Sequence, residues 1–132
     1  MAADPAIALR NTEAALGRLE LFLAVPVRDE RERAGVIQAF EVTFEACWKL
    51  LQKVAQLQGL QAASPKAAMV AGFQLGLCEP EAVWLQMLVD RNLTVHTCRA
   101  DLADVIFQRI VKSHAAALRS AVEASRALLQ LP

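Results

Sequence analysis

Apolar side chains recur at intervals of three and four along most of this chain, and helix-ending residues punctuate the breaks. The clearest run extends from about Asp29 to Gln58. Ile37, Phe40, Phe44, Cys47, Trp48, Leu51 and Val54 fall on one side, and Gln38, Glu41, Glu45, Lys49 and Lys53 on the other. Glu45 and Lys49 stand four apart in the favourable order, and the acidic start (Asp29, Glu30, Glu32) suits the positive end of a helix dipole. Gly59 supplies the stop.

The remaining punctuation predicts four more helices. The first runs from Asp4-Pro5 to Leu23, with a carboxylate cap and a proline at the first helical position. Its apolar positions are Ile7, Leu16, Leu19 and Leu23, and its alanine content makes it the weakest core-former. Ser64-Pro65 opens a short third helix that Gly76 ends, and Glu79-Pro80-Glu81 opens a fourth. In that fourth helix Val83, Trp84, Leu85, Met87, Leu88 and Val89 leave almost no polar face, which predicts a central helix or one in a subunit interface. The last helix extends from about Asp101 to Leu129, with Arg109, Lys112, Arg119 and Arg126 free to face water. The expected architecture is all-α: an up-down four-helix bundle with one additional short helix, forming one domain over residues 1–132.

Composition narrows the classes of function. Hydrophobic residues make up 55% of the 132 positions, enough for a core, while 14 basic and 14 acidic side chains cancel. A neutral chain lacks the basic surplus of a general nucleic-acid coat. No apolar run reaches the roughly 18–20 residues of a membrane span, and the N-terminal stretch is unlike a secretory signal. Cys47, Cys78 and Cys98 are widely spaced and include no Cys-x-x-Cys pair, so reduced thiols and a cytoplasmic setting are expected, with no metal site. Cys47, between Phe44 and Leu51, reads as an inert core thiol. No phosphate-binding glycine loop, His-Glu-x-x-His or serine elbow is present.

One polar stretch continues the apolar fourth helix: Asp90-Arg91-Asn92-Leu93-Thr94-Val95-His96-Thr97-Cys98. Arg91 extends the stripe of Trp84 and Met87, and Asn92 and His96 extend that of Leu85 and Val89. Charges on a buried face need a partner in the fold, in a second subunit or in a ligand. Arg91 and His96 would stand about 140° apart on a regular helix, so they meet only if the helix frays near Thr94 or a second chain contributes. A forked guanidinium and an imidazole suit a phosphate, but the same cluster can equally lock helix packing. His114, with no acidic neighbour at helical spacing, reads as a surface or core-edge histidine.

Three ordered blocks resemble the nucleotidyltransferase substrate-binding protein family. They are Ala39-Phe40-Glu41-Val42-Thr43-Phe44-Glu45-Ala46-Cys47-Trp48-Lys49, then Ser64-Pro65 with Ala71-Gly72-Phe73-Gln74-Leu75-Gly76-Leu77, then Trp84 through Thr97. The resemblance implies a homodimeric helical bundle that acts as the non-catalytic substrate-binding subunit of a separate small nucleotidyltransferase, in a heterotetramer. That partner would supply the nucleoside triphosphate and Mg; this chain would carry no cofactor. The implied substrate- or partner-binding residues are Asp90, Arg91, Asn92 and His96, with Trp48 and Trp84 near the walls of the cleft. The family is also related to HEPT-type toxins of toxin-antitoxin pairs, which cleave RNA through an Arg, four to six residues, His, one residue, Tyr motif. Under that alternative Arg91 and His96 would be catalytic. The tyrosine position falls on Cys98, and the chain contains no tyrosine, so AMP transfer to that phenol has no acceptor here.

Overall fold

The computed structural model describes residues 4–96 and 98–130, and within them every regular element is helical. Helix α1 is Pro5–Leu23, α2 is Glu30–Leu57, α3 is Pro65–Gln74 and α4 is Glu81–Leu93. A 3-10 turn (Thr94–His96) follows, and then one continuous rod made of α5 (Ala100–Arg109), a π-helical turn (Ile110–His114) and α6 (Ala115–Leu129). The expected all-α bundle is therefore the observed one.

Local chemistry sets the boundaries. Asp4, Asp29 and Ser64 accept hydrogen bonds from Ala6 N, Glu32 N and Ala67 N at the starts of α1, α2 and α3. At the end of α2, Gly59 takes φ +78°, and Leu60 N and Gly59 N return to Ala55 O and Gln56 O at 2.9 and 3.1 Å, a Schellman closure. Gly72 serves a different end. A Cβ there would overlap the Cys78 sulfur, so α3 can lie against the following loop only without one.

The core is built around α2, whose Phe40, Phe44, Cys47, Leu50, Leu51 and Val54 are almost wholly buried. α1 joins it through Leu9, Leu16 and Leu19, all buried, and Thr12 Oγ1 bridges the two helices by donating to Ala8 O and Ala46 O. The inward stripe of α1 thus runs through Leu9 and Thr12, and Ile7, expected inside, is half exposed. Alanine content does not weaken α1 as a core-former, because three fully buried leucines carry its contact with α2.

α6 returns antiparallel to α1. Glu13 and Glu20 stand seven apart, as do Arg119 and Arg126, and the pairs meet crosswise: Arg119 with Glu20, Arg126 with Glu13. These arginines, expected to face water, lie about one-third exposed at the seam. Half-exposed pairs contribute at most about 1 kcal/mol each, so they fix register more than they add stability.

Of the two places expected for the fourth helix, the centre of the bundle is not the one observed. Trp84, Met87 and Asp90 are its buried residues, while Leu85 and Val89 are 44% and 49% exposed. α4 rests on α3 and the π turn along one side only, so an apolar composition all round does not produce burial all round. At 100° per residue Leu85, Val89 and Asn92 fall within an arc of about 60°, forming one open stripe.

Candidate functional site

The polar residues around the end of α4 divide into an internal set and an external set. Internally, Asp90 is fully buried, one turn beyond Met87 on the core-facing stripe. Its Oδ1 accepts from Arg109 Nη1 at 2.6 Å and from Gln86 Nε2 at 3.0 Å, and its Oδ2 faces His114 Nε2 at 2.7 Å. Burial pushes the Asp90 carboxyl up, but hydrogen bonds from His114 and Gln86 and the charge of Arg109 outweigh it, leaving the group below the usual carboxylate range. An ionised carboxylate can only accept, so His114 carries its hydrogen on Nε2. Its Nδ1 is buried without a partner among the described residues.

His114 is 1% exposed and stacks on Phe40, with centroids 5.5 Å apart and planes 24° from parallel. The expectation of a surface or core-edge histidine is thus corrected. Its acidic partner lies 24 residues upstream on another helix, outside any local spacing rule. The π turn Ile110–His114 widens the rod at this point and brings the ring inside. Arg109, expected to face water, is anchored to Asp90 while staying 39% exposed. The signal available in the sequence was Asp90 itself, three residues beyond Met87 on an inward stripe, because a carboxylate there requires a buried donor.

Externally, Arg91 reaches across to α2. Its Nη2 lies 3.1 Å from Glu45 Oε1, and Glu45 Oε2 accepts from Trp48 Nε1 at 3.0 Å. Glu45 therefore serves Arg91 and Trp48 rather than Lys49, which makes no ion pair among the described residues. Asn92 and His96 point outward and are exposed. Trp84 is 1% exposed, with its indole nitrogen unpartnered among the described residues, so it belongs to the core and not to a cleft wall. Arg91 and His96 do not meet within one chain: one is tied to Glu45, and the other ends the 3-10 turn in the open. Thr97 lies outside the described residues. Cys98 is exposed, its sulfur 3.9 Å from His96 O. Cys47 and Cys78 are buried thiols; burial pushes Cys47 up to about 12 and Cys78 further still, which removes thiolate chemistry from both. No group of three or more His, Cys, Asp or Glu among the described residues could hold a metal ion. No described helix is long and apolar enough to cross a membrane.

The described residues thus form a small all-α bundle in which α4 leaves an apolar stripe open and is bridged to α2 by Arg91 and Glu45. Residues 8–127 match the family model described as "Nucleotidyltransferase substrate binding protein like", and the chain belongs to that family. It is also similar to a Thermus thermophilus protein, ttk003001694, known from its crystal structure. That similarity is 36% identity over 87% of this chain and 98% of the other, with a TM-score of 0.80. No curated protein matches the chain.

Proposed function

We propose that this chain is the substrate-binding subunit of a two-chain nucleotidyltransferase and performs no chemistry alone. The family match over residues 8–127 is the observation that carries this reading. The site geometry supports it. Asp90 uses its acceptor capacity on buried His114, Gln86 and Arg109, Arg91 is held by Glu45, and His96 stands apart from both, so among the described residues Arg91 and His96 form no joint acid-base site within one chain. In this reading two copies associate through the open stripe of Leu85, Val89 and Asn92. Arg91, Asn92 and His96 line the resulting cleft, with Trp48 at its edge. Each copy engages one small nucleotidyltransferase, which brings the nucleoside triphosphate and Mg.

The test is co-expression with a small nucleotidyltransferase encoded beside it. Co-elution at a two-to-two mass is the expected result; separate elution of the two chains would end this reading. Incubation with RNA in chelator, beside a His96→Ala control, is expected to leave RNA intact in both. Cleavage lost in that variant would instead establish the HEPT-like ribonuclease, with Arg91 and His96 as its catalytic groups.

A further inference from the structure

The outer seam between α1 and α2 carries a furrow that borders the α4 cleft only at Glu45 and Trp48. A hollow of about 540 Å³ lined by Ile7, Asn11, Val42, Trp48 and Lys53 opens at one end. A second, of about 160 Å³, shares Val42 with it and continues past Ala15, Arg18 and Ala39 to Phe22. A third, of about 270 Å³, shares Phe22 and Gly35 with the second and ends at Val25 and Val27. From Ile7 to Phe22 the furrow follows α1 for about 22 Å, four turns of helix. Its floor is low, at Ala8, Ala15, Gly35, Ala39 and Ala46, which lets another backbone come close. Ile7, Val25 and Val42 stand 45%, 62% and 55% exposed along it.

Charge selects the occupant. Two carboxylates line the furrow, and both are already engaged: Glu45 with Arg91 and Trp48, Glu32 with Arg28 at 2.6 Å. The cations are not. Lys49 and Lys53 make no ion pair among the described residues, and Arg18 lies 5.4 Å over the Phe22 ring with no carboxylate partner there. An incoming surface therefore meets apolar contacts flanked by uncompensated positive charge. We propose that the α1–α2 furrow docks an acidic amphipathic α-helix of another polypeptide, its apolar stripe on Val42 and Phe22 and its carboxylates against Lys49, Lys53 and Arg18. This surface is separate from the α4 stripe assigned above to self-association. Identifying that polypeptide with the nucleotidyltransferase rests on the function proposed above; the helix chemistry does not.

The test uses the full chain and two labelled helical peptides of about 16 residues, long enough to fill four turns. Both carry a leucine stripe, flanked by glutamate in one and by lysine in the other. Fluorescence anisotropy is expected to show about tenfold preference for the glutamate peptide, and Lys49→Glu with Lys53→Glu is expected to reverse it. Val42→Asp is expected to abolish binding of both peptides. Circular dichroism checks that each variant keeps its helicity. Equal binding of the two peptides, or a preference that survives the charge reversal, would overturn the proposal. So would a shift in the oligomeric mass of the double variant, which would make the furrow an interface between copies. A nucleotidyltransferase that binds native chain and double variant alike would remove the furrow as its dock while leaving the two-chain function standing. Peptide selectivity without any nucleotidyltransferase binding would do the reverse.

Discussion

α2 and α4 look alike as patterns of apolar residues, yet they hold their places by different physics. α2 is surrounded by α1, α3, α5 and α6 and buries Phe40, Phe44, Leu50 and Leu51 with no charge on that face. α4 meets the rest of the molecule through buried Trp84 and Met87, the half-buried Val83, Leu88 and Leu93, the Arg91–Glu45 bridge and one ionised carboxylate, and leaves Leu85 and Val89 to solvent. The first is held by area removed from water, the second by the burial of Trp84 and Met87 together with a directional polar anchor. The difference teaches that apolar periodicity locates a helix but does not say how many of its sides have neighbours.

Breaking each kind of attachment should give different signatures. The largest effect is expected from Phe40→Ala, which empties the centre of α2 and removes the ring beneath His114; a loss of about 3–5 kcal/mol follows, read as a lower denaturant midpoint. Asp90→Ala should cost about 3 kcal/mol, because His114 and Gln86 lose a buried acceptor while Arg109 can turn to water. Hydrogen exchange distinguishes the two: the Asp90 variant should accelerate exchange in α4 first, whereas the Phe40 variant should loosen α1, α2 and α6 together. Uniform acceleration in both would erase the contrast. Gly72→Ala drives a methyl group into Cys78 and should cost about 1–3 kcal/mol, partly recovered when Cys78→Ala is added.

The anchor also has a sign in pH. The Asp90 carboxyl lies below its ordinary value of 3.8, so its stabilisation is complete above that value and fades as pH falls through the lowered one. Denaturant midpoints of the native chain and Asp90→Asn, compared between about pH 6 and about pH 2, should converge at the acid end. A gap that stays constant would mean the carboxylate charge is not what holds α4. The smallest effect is expected from Leu85→Ala, within about 0.5 kcal/mol in the isolated chain, since the side chain already faces water.

Much of this fold could be read before any coordinates. Asp4-Pro5, Asp29, Ser64-Pro65, Gly59 and Gly76 act within a few residues of themselves, so their meaning survives in a linear text, and the caps and stops stand where they predict. The site was less legible. Arg91 falls between the inward and outward faces of α4 and finds Glu45, 46 residues earlier, which no spacing rule connects. His114 escaped because its acidic partner lies 24 residues upstream on another helix, which no helical spacing shows. Leu85 and Val89 ruled out a central position only once their neighbours were known, since an apolar residue states a preference for burial, not where the burying surface lies.

That π turn has a consequence for the rest of the rod. Because a π turn holds about one residue more than an α turn, deleting a single residue such as Ser113 would let the backbone relax to ordinary winding while everything downstream keeps its orientation. Ala117, Leu118, Ala121 and Val122 would stay on the interior, and the crosswise arginine–glutamate seam with α1 would stay aligned. The rod thus absorbs one surplus residue at His114 without disturbing the seating of the C-terminal helix.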